Sequence, residues 1–84
     1  MLVHLGEDIM VPYRHVIAIL SLQAISASRD SRTFMSWADQ RGRVFGNSSQ
    51  ARSAVLTDDG VYLSPISPDT LKRRLGQGSR GFQT

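Results

Sequence analysis

The chain predicts a small α+β domain, a mostly antiparallel sheet with two helices in the order β-β-β-α-β-β-β-α. Three features carry that reading. Short apolar runs of strand length alternate with turns rich in glycine and aspartate. Two stretches show helical spacing with cap residues at their ends. The 84 residues contain no cysteine, so a single core must form without disulfides.

The elements follow in order. Residues 1–5 are an apolar run, Gly6-Glu7-Asp8 is a turn signal, and Ile9-Met10-Val11 resumes the run, which predicts a first hairpin. Pro12 cannot donate to a sheet ladder and marks an edge or bend. Residues 16–20 have the continuous apolar composition of a buried strand. Residues 21–28, small and weakly apolar, read as a loop. Asp30 or Ser31 is the expected cap of a first helix that ends at Gly42. On it Phe34, Trp37 and Ala38 fall within about 100° of arc, one apolar face suited to a core or a subunit contact. Val44-Phe45 starts a strand, Gly46-Asn47-Ser48-Ser49 is a turn, and residues 51–57 form the next strand. Asp58-Asp59-Gly60 is a hairpin signal, because such turns need the positive φ that glycine supplies. The returning strand, Val61-Tyr62-Leu63, leads into a second helix. Ser67 caps it, Pro68 fits its first position, and Asp69 faces the positive end of its dipole. Gly76 is the expected stop. The expected organisation is one domain over residues 1–76 and a flexible tail over residues 77–84.

Composition narrows the function. Ten Lys and Arg against seven Asp and Glu leave a formal charge of +3. Nine of the ten cations are arginine, whose planar fork suits phosphate and guanine; a GC-rich genome explains the same ratio. No run approaches the roughly 20 apolar residues of a membrane span, and no secretory leader is legible, so a cytoplasmic protein without membrane partners is expected. Two histidines and no cysteine offer no metal-ligand pattern. No nucleophile elbow, phosphate loop or dinucleotide fingerprint is present. A non-enzymatic chain without cofactor or metal is the expectation.

Several cations are candidates for nucleic-acid contact. Arg14 sits in the break Pro12-Tyr13-Arg14-His15 between two apolar runs and is expected to project from a sheet edge or turn, with an ordinary surface arginine as the alternative. Arg43, Gln50 and Arg52 surround the turn at residues 46–49. If Val44-Phe45 pairs with the following strand, the three lie together and suit a phosphate backbone; a charged hairpin that resists edge aggregation is the equal alternative. Lys72, Arg73 and Arg74 are secondary phosphate candidates. At 100° per residue they spread over about 200° and cannot form one stripe, so capping of the helix end competes with phosphate contact.

Taken in order, these segments resemble the small bacterial extracellular-matrix regulators of the RemA/RemB type, closer to the RemB branch. His4-Leu5-Gly6-Glu7-Asp8 resembles the family's opening, and Arg14 with Val16-Ile17-Ala18-Ile19 its arginine and apolar strand. Ala38-Asp39-Gln40-Arg41-Gly42 is similar to the end of its helix, and Ser53-Ala54-Val55-Leu56 to its next strand. Val61-Tyr62-Leu63-Ser64-Pro65-Ile66-Ser67-Pro68-Asp69-Thr70-Leu71 resembles its C-terminal signature. The resemblance implies a DNA-binding transcriptional regulator of matrix and biofilm genes that acts as a ring-like homo-oligomer on double-stranded DNA. It places DNA contacts at Arg14 and at an arginine pair just before Ser53. Here that stretch is Gln50-Ala51-Arg52, so Arg52 stands where the family has a pair, with Arg43 as a candidate substitute. The alternative is an oligomeric protein-interaction module that binds no nucleic acid. RNA binding is disfavoured, because no aromatic-rich strand offers stacking platforms.

Overall fold

Ala54 and Val55 are adjacent in sequence and both fully buried. Successive strand side chains point to opposite faces, so the sheet that holds them must be covered on both sides. The structure of the chain, a computed structural model that describes residues 1–78, has this three-layer arrangement.

The central layer is a four-stranded sheet of β3 (Val16–Ser21), β5 (Ser53–Thr57), β6 (Val61–Ser64) and β4 (Val44–Phe45), in the spatial order β3-β5-β6-β4. One face is covered by a separate antiparallel ribbon, β1 (Leu2–His4) with β2 (Met10–Pro12), and by helix α3 (Pro68–Gly78). Val3, Leu5, Val11, Ile19, Val55 and Leu71 form that core. The other face carries α1 (Leu22–Ala27) and α2 (Arg29–Gln40), with Ile25, Ala38, Ala54, Val61 and Leu63 between the layers.

The expected α+β architecture and the first hairpin are present. The β1–β2 turn has positive φ at Glu7 (53°) and Asp8 (65°), closed by a hydrogen bond from Ile9 N–H to Gly6 C=O (3.0 Å). The 58–60 hairpin also forms: Thr57 Oγ1 accepts from the N–H groups of Asp59 (3.1 Å) and Gly60 (3.2 Å). Gly60 has φ 154°, and a side chain there would run into the Arg43 carbonyl and the Phe45 ring. Ser67 caps α3 as expected, its Oγ accepting from Thr70 N–H (3.3 Å).

Three expectations change, and one strand pairing that the sequence leaves open is decided. Residues 21–28 are not a loop. Ser21 Oγ accepts from Ala24 N–H (3.0 Å) and opens α1, whose Ile25 is buried. The first long helix is capped by Ser28 rather than by Asp30 or Ser31. Ser28 ends α1 through its own N–H to Ile25 C=O (3.2 Å) and starts α2 by accepting from Ser31 N–H (3.3 Å). So one serine serves two helices, and the described residues form three α-helices rather than two. β4 pairs with β6, in parallel, and not with the strand that follows it. Finally, α3 does not stop at Gly76 but continues to Gly78. The rest of the expected tail, residues 79–84, lies outside the described residues.

Candidate nucleic-acid interface

Arg14 stands on a single 3₁₀ turn, Tyr13–His15, between β2 and β3. Pro12 enters the turn with φ −62° and ψ 131°, and Tyr13 N–H donates to Met1 C=O (3.0 Å). Tyr13 packs against the core, which leaves the Arg14 side chain exposed on a backbone that is held on both sides.

Arg52 is also exposed, and its backbone is fully committed. Its N–H donates to Ser64 C=O (2.7 Å) and its C=O accepts from Leu22 N–H (3.1 Å). The guanidinium therefore leaves from a fixed point, beside a shallow cleft of about 310 Å³ lined by Ser21, Leu22, Gln23, Ala51, Arg52 and Pro68. Gln50, exposed, ends the 3₁₀ turn Ser48–Gln50 just before it. Asn47 opens that turn, its Oδ1 accepting from Ser49 N–H (2.9 Å) and Ser49 Oγ (2.8 Å).

Arg14 and Arg52 are not neighbours. Val16 pairs with Thr57 and Ser21 with Ser53, so the two arginines extend from opposite ends of the β3–β5 ladder. At about 3.4 Å per residue, roughly 14 Å of strand lies between them. Arg43 is not beside Arg52 either, because β4 does not pair with the strand that follows it, the condition under which the two would cluster around the 46–49 turn. Parallel pairing of β4 with β6 puts Arg43 at the start of β6, where its C=O accepts from Val61 N–H (2.8 Å). Arg52 lies at the far end of β6, against Ser64. Gln50 and Arg52 stay together at one end of the sheet; Arg14 and Arg43 occupy the other end, on its two opposite edges.

The C-terminal cations diverge as helix geometry requires. Lys72 and Arg73 are exposed, whereas Arg74 is half-buried and donates from Nη1 to His4 C=O (3.0 Å). Arg74 thus ties α3 to β1.

Two further groupings form at the surface. His15 Nδ1 lies 3.8 Å from Asp58 Oδ1, and with Asp59 these residues bring three potential metal donors within 4.8 Å of one another, all at least partly exposed. The hairpin tip thereby sets two carboxylates at the Arg14 end of the sheet. On α2, Ala38 is buried as expected, but Phe34 (42%) and Trp37 (50%) are exposed. Their rings are 6.2 Å apart and stacked, with the Arg41 guanidinium 4.0 Å over Trp37. Helical periodicity reports that an apolar face exists, and it does not report whether that face is covered. Among the described residues, no helix is long and apolar enough to cross a membrane.

The profile described as RemA-like, extracellular matrix regulatory protein A-like, matches residues 2–75. The chain belongs to the RemA-like family. Its sequence is also 32% identical over 75 residues to extracellular matrix regulatory protein B of Bacillus subtilis (strain 168), covering 88% of this chain and 89% of the relative. The match spans every element from β1 into α3, so the family assignment covers the three-layer domain, the Arg14 turn and the Arg52 strand entrance alike. It bears out the RemB-type resemblance read from the sequence and makes the chain a member of a family of bacterial matrix regulators.

Proposed function

We propose that this RemA-like chain regulates extracellular-matrix genes by binding double-stranded DNA as a cytoplasmic, non-enzymatic homo-oligomer, with a ring as the assembly. The observation that carries the reading is the placement of Arg14 and Arg52. Both are exposed, Arg52 extends from its own hydrogen-bonded backbone and Arg14 from a turn held through Tyr13, and they sit at opposite ends of one strand pair. Side chains that leave the backbone at opposite ends of a ladder roughly 14 Å long can reach different phosphates, because phosphates along one strand are spaced by several ångströms. One subunit then lies along the duplex instead of gripping a single phosphate. Repetition around an oligomer multiplies these weak contacts and the modest charge of +3. Phosphate contacts position a protein, so specificity in this reading comes from DNA shape rather than from a recognition helix.

Gln50 supplies an amide next to Arg52, and Arg43 and the pair Lys72 and Arg73 are accessory cations. Arg74 is assigned to the fold, given its bond to His4.

The test is duplex-DNA binding by fluorescence anisotropy across a salt series. Arg14→Ala and Arg52→Ala should each weaken binding. Each should also flatten the slope of log K against log salt, by about 0.9 for every phosphate that the binding unit no longer neutralises. Native mass should stay unchanged. A wild-type affinity indifferent to salt would remove the DNA reading.

The second reading, a protein-interaction module without nucleic acid, is favoured by one observation: the exposed Phe34–Trp37 pair, which is unlike a phosphate-binding surface. Its signature is a wild-type chain that assembles but leaves duplex DNA unshifted at low salt.

A further inference from the structure

An apolar groove runs between α2 and the β3 side of the sheet. It is lined by Ile17, Phe34, Trp37 and Leu56 over a cavity of about 600 Å³, and continues past Leu20 toward Asp30 in a second one of about 200 Å³. Ile17 (69% exposed) protrudes because the β3–β5 register slips between Val16 and Ala18. Aromatic and aliphatic surface of this kind, contiguous and rimmed by charge, marks an interaction site.

The stripe that α2 presents along this groove has an internal symmetry. Asp30, Phe34, Trp37 and Arg41 are spaced four, three and four residues apart, and at 100° per residue they fall within about 60° of arc. An acid stands at one end, two aromatics in the middle and a base at the other end. The pattern reads the same, with charge inverted, about a point between Met35 and Ser36. A two-fold contact requires a patch complementary to itself. Two antiparallel copies of α2, related by an axis through that point, would set Asp30 of each copy against Arg41 of the other, and Phe34 of each against Trp37 of the other. Arg41 is already preorganised, with Nη1 donating to Trp37 C=O (3.3 Å) and the guanidinium over the indole. Its five N–H donors leave a fork for a carboxylate. Ile17, Leu20 and Leu56 form the apolar wall against which the opposing aromatics would pack.

We infer that the α2 groove is occupied by a second copy of this chain, in an antiparallel α2–α2 pairing centred between Met35 and Ser36. The inference rests on the homo-oligomer part of the proposed function and names one surface for it. The contact is isologous and closes on itself, whereas a ring is closed by a different, head-to-tail contact.

Charge reversal tests the inference. Asp30→Arg faces Arg41 of the other copy with a like charge, and Arg41→Asp does the same to Asp30. Each contact occurs twice across the axis, so each single variant should self-associate about tenfold more weakly than wild type. In an equimolar mixture of the two single variants, both contacts become complementary again, and association should return to near the wild-type level. Native mass and sedimentation read this out, and far-UV circular dichroism checks the fold of each variant. Trp37 is the single tryptophan of the chain, so its emission in the unmodified protein should shift to shorter wavelength as concentration drives assembly. Folded single variants that associate as tightly as wild type would overturn the pairing, as would a mixture no tighter than its components. So would Trp37 emission that ignores assembly, and that result would leave both the oligomer and its DNA binding standing through another surface.

Discussion

Ser64 and Ser67 are three residues apart, and they hold the fold at different ranges. Ser67 caps α3 through Thr70 N–H (3.3 Å), a contact that the local string Ser-Pro-Asp announces. Ser64 is fully buried. Its Oγ donates to Leu5 C=O (2.6 Å) and accepts from Ile66 N–H (3.1 Å), joining the β1–β2 ribbon to the sheet across most of the chain. Ser64→Ala would leave a buried carbonyl and an amide without a partner, which costs about 1–3 kcal/mol. The expected result is a lower urea midpoint with an unchanged slope; an unchanged midpoint would show that the ribbon does not depend on this hydroxyl. Arg74 makes a second such tie, and the same distinction applies to it. The basic run containing it is visible in the sequence, but its bond to His4 is a product of packing.

At the scale of elements, the signals legible in the sequence are those completed within a few residues. The Asp58-Asp59-Gly60 turn, the first hairpin and the α3 start all depend on short-range backbone chemistry, and all form. α1 is not legible because its six residues have weak helical periodicity; packing of Ile25 against the sheet stabilises what propensity alone does not. The β1–β2 turn carries a cost of its own. Glu7 and Asp8 both adopt positive φ, a conformation that Asn-Gly takes more readily. Replacing Glu7-Asp8 with Asn-Gly should therefore stabilise the chain by about 1 kcal/mol, seen as a rise in Tm. A fall in Tm would mean that the two acidic side chains contribute more than their backbone strain costs.

Over the whole molecule, the arrangement of charge matters more than its amount. Arg14 and Arg52 are separated by roughly 14 Å of strand and share no partner, which is the condition under which free energies add. In the DNA-binding reading, Arg14→Ala/Arg52→Ala should reduce affinity by a factor near the product of the two single reductions, measured by anisotropy at fixed salt. A double variant no weaker than the worse single one would mean that the two act as one contact, which the geometry does not accommodate. The carboxylates of Asp58 and Asp59 share the Arg14 end of the sheet, so repulsion of phosphate there should make Arg52 the larger of the two single effects.

Composition, caps and turn residues established an α+β domain with most of its elements, and the order of its segments established the family, because these depend on neighbours in the chain. Strand order and register were settled by burial on both faces of the sheet, which couples residues far apart in sequence. That coupling made β4 parallel to β6, sent Arg43 away from Arg52, and drew Arg74 onto β1. It also left Phe34 and Trp37 exposed while burying Ala38 on the same helix. A periodic pattern identifies an apolar face, but only the packed sheet decides how much of that face it covers.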